Sequence, residues 1–186
     1  MIQSKEDYLY YLEADRLANN WKENTIKQKF YSLFIPDYLR LFHIQLRRVE
    51  YYKNCKKGVL SRFLYLFIVR RFYKLSRLNG FCISANCFGP GLSIAHSGTI
   101  VVNSKVRVGK NCRIHTCVNI GTAKGSTDKV PIIGDNCYIG PGVKIFGEIK
   151  IADHVTIGAN AVVNQSVEEN HVVIAGIPAK IIAENK

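Results

Sequence analysis

The sequence predicts an α+β chain in which an α-helical region, residues 1–80, precedes a parallel β-solenoid, residues 81–186. A six-residue period runs from residue 102 to residue 167, with one interruption. Neither the helical period of about 3.6 residues nor the strand period of about 2 fits it. Apolar residues at helical spacing occur instead in the first eighty residues. The inward aliphatic residues of the period are Val102, Val108, Ile114, Ile120, Ile133, Ile139, Ile145, Ile151, Ile157 and Val163.

The same period predicts the size of each coil. Three hexads make a coil of eighteen residues, so Val102 to Asn119 is expected to form one coil and Ile133 to Lys150 another. Stacked coils bury a continuous core that a single repeat could not bury alone. Residues 81–101 are predicted to form an irregular first coil, with Ile83 and Ile94 pointing inward.

Three helices are predicted before the solenoid. Ser4, with Asp7 three residues later, forms a capping box that opens the first helix. Pro36 suits the first position of the second helix, and Gly58 and Gly80 are expected to end the second and third. The expected helices are Lys5 to about Asn19, Asp37 to about Cys55, and Val59 to Leu78.

The interruption of the repeat and its end predict two further features. The segment TAKGSTDKVP must leave the solenoid surface and return, which gives a loop over residues 121–132. Loops of this composition beside a rigid scaffold are frequent places for ligand binding. The tail IAGIPAKII is expected to form a short capping strand.

The net charge of +12 lies mainly in the helical region, which holds 16 Lys and Arg against 7 Asp and Glu. Such a balance favours a membrane surface, nucleic acid or an anionic ligand, but no nucleic-acid-binding module is present in the sequence. The segment RFLYLFIVRRFYK is interpreted as a helix that packs on its neighbours with its arginines in water. Peripheral attachment to an anionic membrane is the alternative.

The six cysteines predict reduced thiols in a cytoplasmic protein. Cys112 and Cys137 occupy inward solenoid positions, where a free cysteine behaves as a small hydrophobic residue. The other four show neither a CxxC pair nor Cys/His metal spacing, and no metal is expected. The first residues also lack a signal-peptide pattern.

The histidines are the candidates for chemistry. His96 lies two residues after the inward Ile94 and is expected to project outward. His115 occupies a turn position where small residues are usual, about one coil from His96, so both could line one groove. His154 lies in an outward polar stretch.

The runs GPGLSIAHSGTIVV, VGKNCRIHTCVNIGT and VPIIGDNCYIGPGVKIFGEIKIADHVTIGANAVVNQSV, with the tail IAGIPAKII, resemble the serine acetyltransferase group of hexapeptide acyltransferases. The resemblance covers roughly residues 81–183 and implies a left-handed β-helix. It also implies a homotrimer, or a dimer of trimers joined through the helical region, with acetyl-CoA in grooves between solenoids. In such a site a histidine removes the proton of an acceptor hydroxyl.

The resemblance assigns roles to individual positions. His96 matches the catalytic histidine, and Asp128 matches a substrate-binding residue of the loop. Positions on the cofactor side of the groove, where acetyl-CoA would bind, are matched by Gly121, Thr122, Lys129, Pro141, Ala159 and Lys180. Lys129 and Lys180 are basic residues that could meet the phosphates of CoA, or equally could be solvated surface charges.

Three positions depart from the family pattern. The acid that normally precedes the catalytic histidine is Ala95, and the acid that orients it falls on Cys82. The histidine that precedes proline in the loop is Val130. These departures favour acetyl transfer in general over serine as the specific acceptor.

Four functions therefore stand as hypotheses. The first is an acetyl-CoA-dependent O-acetyltransferase that acts on serine, and the second is the same reaction on the hydroxyl of a sugar or of a capsular or exopolysaccharide precursor. The third is a non-catalytic trimeric scaffold. The fourth is a zinc enzyme similar to γ-class carbonic anhydrases, which would require His96, His115 and His154 to converge between subunits.

Overall fold

The computed structural model describes residues 1–22, 30 and 34–185. Within these residues three α-helices precede fourteen short strands: α1 Lys5–Ala18, α2 Tyr38–Cys55, α3 Val59–Asn79, β1 Phe81–Cys82, β2 Ser93–Ile94, β3 Ile100–Val102, β4 Arg107–Val108, β5 Arg113–Ile114, β6 Val118–Gly121, β7 Ile132–Ile133, β8 Tyr138–Ile139, β9 Lys144–Phe146, β10 Lys150–Ile151, β11 Thr156–Ile157, β12 Val162–Val163, β13 Val172–Gly176 and β14 Ala179–Glu184.

The strands form the three faces of a left-handed β-helix, all parallel apart from β14, which confirms the predicted fold class. Face A has the order β1-β3-β6-β9-β12, face B β4-β7-β10, and face C β2-β5-β8-β11-β13-β14. Val102 pairs with Ile120, eighteen residues later, as the period predicts. Ile120 pairs with Ile145, twenty-five residues later, because the loop is inserted between those two coils.

The inward positions of the repeat form one continuous core. All ten aliphatic residues of the six-residue period are buried, and so are Ile83 and Ile94 of the first coil. At Gly109, Gly134 and Gly140 the residue after the inward one has no side chain, and the next coil approaches closely there. A Cβ atom added to Gly109 would lie 2.7 Å from the backbone of Gly134 in the next coil.

A buried ionic network fastens the helices to the first coil. The Arg47 guanidinium of α2 donates to the Asp15 carboxylate of α1 at 2.8 Å and to Glu50 at 2.9 Å. It also donates to the carbonyl oxygens of Phe88 and Gly89, at 2.9 and 2.7 Å. Burial opposes the charge on Asp15, but Arg47 and His43 beside it hold the pKa of Asp15 below its ordinary value. Each charge in this network is therefore compensated at the helix–solenoid junction.

The helix ends confirm some of the predicted signals and correct others. The Ser4 hydroxyl accepts from the backbone N–H of Asp7, and Gly80 ends α3 in the left-handed conformation, both as expected. The prediction for Pro36 is wrong, because α2 begins at Tyr38 and its cap is Asp37, whose carboxylate accepts from the backbone N–H of Arg40. Gly58 does not end α2 but precedes α3, with a φ of 115°.

The tail forms a hairpin where the sequence predicted one strand. β13 continues face C in parallel with β11, and β14 turns back antiparallel to β13. The turn lies at Ile177–Pro178, whose peptide bond is cis. The hairpin covers one edge of face C and places Lys180 opposite Ala175.

All six cysteines are free thiols, and Cys112 and Cys137 are buried in the core as predicted. Burial raises the pKa of the Cys137 thiol to about 11 and also raises that of Cys112. Both therefore stay protonated and pack as small apolar groups. Among the described helices, none combines the length and the apolar character needed to cross a bilayer.

Candidate active site

His96 lies on the corner that joins face C to face A. It follows β2, whose Ile94 is buried, and its own side chain is exposed, as the sequence predicts. The end of α3 holds this corner in place. The backbone N–H of Gly98 donates to the Asn79 carbonyl at 2.8 Å, and the Ser97 hydroxyl donates to the Asn79 side-chain oxygen at 2.7 Å. No motif or spacing in the sequence predicts this contact.

His115 lies beside His96 in the next coil. The two ring centroids are 6.4 Å apart, and the ring of Tyr138 lies 5.1 Å beyond His115. Nε2 of His115 is buried and has no hydrogen-bond partner among the described residues. Burial, with smaller contributions from Arg113 and His96, lowers the pKa of His115 below its ordinary value of 6.5. His115 is therefore neutral at neutral pH, and His96 is the more accessible of the two imidazoles.

Two of the predicted cofactor-side residues share this corner. The backbone N–H of Gly142 donates to the Thr116 carbonyl, and that of Asn160 donates to the Pro141 carbonyl. Since Ile139 pairs with Ile157, Pro141 and Ala159 occupy equivalent places in successive coils. Both are exposed. The corner therefore carries the histidines at one end and continues past small or rigid side chains towards the C-terminal hairpin, where Lys180 is exposed.

The loop residues lie at the other end of face A. Gly121 is the last residue of β6, and Thr122 begins the loop, so the length of β6 separates both from His115. Asp128 forms an ion pair with Lys105, and Lys129 lies 3.6 Å from Glu148, with all four side chains largely exposed. The Lys105 partner lowers the pKa of Asp128. A single chain thus brings His96, His115, Pro141 and Ala159 to one corner and leaves the loop at another.

No carboxylate contacts His96 among the residues described, and residues 95 and 82 are Ala and Cys. Cys82 is an exposed residue of β1, and Ala95 is half-buried. The described part of the chain also contains no group of three or more His, Cys, Asp or Glu side chains placed to hold a metal ion. His154 lies on the corner before face C, where its ring stacks on that of His171 at 4.2 Å. Within one chain it therefore does not join His96 and His115.

Comparison with known proteins points to one group. The family model "bacterial transferase hexapeptide (six repeats)" matches residues 131–165. A serine acetyltransferase of Staphylococcus epidermidis is 40% identical over 97 residues, which are 52% of this chain and 45% of that protein. The alignment thus spans just under half the length of that curated relative.

Solved structures extend the likeness to the helical region. A serine acetyltransferase from Brucella abortus superposes with a TM-score of 0.72 at 25% identity, covering 96% of this chain and 70% of that one. The Neisseria gonorrhoeae serine acetyltransferase in complex with serine gives a TM-score of 0.67 at 27% identity, covering 97% and 71%. The chain therefore carries the hexapeptide repeat of bacterial transferases on a left-handed β-helix, and its sequence and fold are similar to those of serine acetyltransferases.

Proposed function

We propose that this protein is an acetyl-CoA-dependent O-acetyltransferase in which His96 is the general base. The observation that carries the proposal is the exposed imidazole of His96 at a rigid corner, beside a second, neutral imidazole and above the exposed Pro141 and Ala159. The similarity to serine acetyltransferases, which extends over 97% of this chain in the Neisseria gonorrhoeae structure, supports the same chemistry.

In the proposed reaction His96 accepts one proton and later releases it. A hydroxyl is a poor nucleophile, and an imidazole with a pKa near neutrality can accept its proton as the oxygen attacks the thioester carbon. The new O–C bond forms, the C–S bond breaks, and the proton held by His96 passes to the sulfur of the departing CoA. Backbone N–H groups of the coil turns would stabilise the negative charge that develops on the carbonyl oxygen.

The placement of the loop supports a site shared between protomers. Gly121, Thr122, Asp128 and Lys129 lie at the end of face A opposite the histidines, so a neighbouring solenoid must contribute them if they bind the same substrate pair. A homotrimer meets this need in three equivalent grooves, and the helical regions could join two trimers. In such a groove Pro141 and Ala159 would border the pantetheine arm. Lys129 and Lys180 would face the phosphates of CoA.

The acceptor is proposed to be serine, as in the relatives that the chain resembles. The hydroxyl of a sugar or polysaccharide precursor is the second candidate. One observation favours it: no carboxylate of the same protomer lies against His96 among the described residues, so none beside the histidine neutralises the ammonium group of serine. We place the reaction in the cytoplasm, which is consistent with six free thiols.

Release of the CoA thiol, measured with serine and with a panel of sugars as acceptors, tests this function. Wild type should consume acetyl-CoA only with its true acceptor, and His96→Ala should lose about a hundredfold or more of that rate. His171→Ala removes another exposed imidazole and should leave the rate unchanged. No acceptor-dependent thiol release from the folded wild type would support the scaffold instead. Undiminished turnover in His96→Ala would remove His96 from the mechanism.

A further inference from the structure

Helix α3 has two apolar faces, and the solenoid and α2 cover only one. On the inner face Phe72 and Leu75 are buried, the rings of Phe42 and Phe72 stack at 5.6 Å, and Gln45 donates to the Ile68 carbonyl. The outer face leaves large side chains in solvent along its first half, and these residues are named here the outer apolar patch: Val59, Leu60, Phe63, Leu64, Leu66 and Phe67.

The exposure of this patch is large for each side chain. Leu60 is 75% exposed, Phe67 71% and Phe63 60%. Monomeric proteins seldom expose contiguous apolar surface of this kind without a partner for it. A helix that is apolar on both faces normally has both faces covered. The outer apolar patch therefore indicates an apolar partner.

The charge next to the patch shows the chemistry of that partner. Residues 51–80 contain eight Lys and Arg and not one Asp or Glu. In the second half of α3, Arg70, Arg71, Lys74 and Arg77 are exposed and follow directly on Phe67. The same helix surface is thus apolar in its first half and basic in its second. A partner that satisfies both halves must offer anionic groups beside hydrocarbon.

We infer that the outer face of α3 binds the surface of an anionic lipid bilayer. Phe63 and Phe67 would enter the boundary between headgroups and acyl chains, and Arg70 and Arg71 would meet lipid phosphates. Pairing with α3 of a second copy fits this face less well, because it would set two basic helices against each other. A soluble polyanion would satisfy the arginines and leave the aromatic side chains exposed.

Sedimentation of the full chain with lipid vesicles tests the inference without requiring turnover. The protein should pellet with vesicles of phosphatidylcholine mixed with phosphatidylglycerol and stay in solution with phosphatidylcholine alone. Each basic side chain near an anionic surface contributes about fivefold to partitioning, so Arg70→Glu/Arg71→Glu should weaken binding at least about twenty-fivefold. Raising the salt from about 0.1 M to about 1 M shortens the screening length from about 10 Å to about 3 Å and should also release the protein.

Two further variants separate the apolar contribution from simple charge attraction. Phe63→Ser/Phe67→Ser should weaken vesicle binding by about tenfold or more and leave thermal unfolding unchanged, since both rings lie outside the core. The matched charge control is Lys5→Glu/Lys150→Glu, which alters the net charge as much as the arginine variant does, at exposed sites outside α3. It should retain vesicle binding.

Three results would overturn the inference. The first is wild type that does not pellet with the anionic vesicles. The second is Phe63→Ser/Phe67→Ser binding anionic vesicles and inorganic polyphosphate as well as wild type does, which would identify a site for soluble polyanions. The third is that Phe63→Ser/Phe67→Ser sediments as a smaller assembly than wild type, while neither the variant nor wild type binds vesicles. That combination would make the outer face a contact between copies of the chain.

Discussion

The imidazole of His115 lies with its centroid 6.4 Å from that of His96, and its Nε2 atom is buried without a hydrogen-bond partner among the described residues. The two rings come from successive coils and differ in exposure, since His96 faces solvent and His115 is half-buried. This arrangement keeps one imidazole neutral behind the one that is proposed to exchange a proton with the acceptor.

The lowered pKa of His115 predicts how stability depends on pH. Its folded pKa lies below the ordinary value of 6.5, so the unfolded chain binds the proton more readily. The contribution of His115 to stability is complete above that value and is lost as the pH falls through it towards the folded pKa. Between about pH 7.5 and about pH 5.5, wild type should lose more unfolding free energy than His115→Asn, which has no group to titrate. Urea unfolding of both proteins at the two pH values measures the difference, and equal losses would contradict it.

The contact between Ser97 and Asn79 predicts a positioning effect on His96. Ser97→Ala removes the hydroxyl that donates to Asn79 beside the His96 corner. We expect kcat to fall about threefold to tenfold while KM for acetyl-CoA stays unchanged, because His96 would be less well oriented and the cofactor side of the groove is untouched. Ser104→Ala, at another exposed serine, is the control and should match wild type. A change confined to KM would contradict a positioning role.

The buried network around Arg47 predicts a large loss of stability. Arg47→Met leaves the carboxylates of Asp15 and Glu50 buried without the guanidinium that neutralises them, which should cost about 3–5 kcal/mol in the free energy of unfolding. Chemical unfolding monitored by circular dichroism measures this loss. Arg62→Met, at an exposed position of α3, should change the free energy by less than about 0.5 kcal/mol. Equal stability of the two variants would show that the network is not needed to fasten the helices to the solenoid.

The close approach of successive coils predicts a penalty at Gly109. In Gly109→Ala the new Cβ would lie 2.7 Å from the Gly134 backbone, so the coils must separate, at a cost of about 1–3 kcal/mol. Gly121→Ala is the matched control, because its Cβ would meet only the Asn119 side chain, at 3.7 Å. The thermal unfolding midpoints of the two variants should therefore differ clearly. A tolerated alanine at Gly109 would contradict the tight stacking.

The solenoid was predictable because a single six-residue period determines the inward positions of many residues at once. Ile120 and Ile145 must both point inward if the coils stack, so the period predicted their burial. The helix–solenoid junction was not predictable. Asp15 lies 32 residues before Arg47, and only the tertiary packing brings the two side chains together. The same holds for Asn79 and Ser97, eighteen residues apart across the end of α3.

The predicted roles of Pro36 and Gly58 were wrong because two sequence signals for a helix end lie close together at each place. Pro36 suits the first position of a helix, but the carboxylate of Asp37 accepts from the backbone N–H of Arg40. Asp37 is therefore the cap, and the helix begins at Tyr38. Gly58 follows α2 closely, but its positive φ belongs to the connection into α3. In the site, the outward position of His96 followed from the period. The sequence did not predict that the loop lies apart from the histidines. The strand order shows it, because the two lie at opposite ends of β6.

His96 of one protomer and the loop of its neighbour are proposed to form one active site, and subunit complementation tests this shared site most directly. One inactive chain carries His96→Ala, and the other has residues 122–131 replaced by a short Gly-Ser turn. Coexpression in equal amounts should restore roughly a quarter of wild-type acetyl transfer, because about one groove in four then combines an intact histidine with an intact loop. Activity no greater than that of the two variants assayed separately would contradict a shared site.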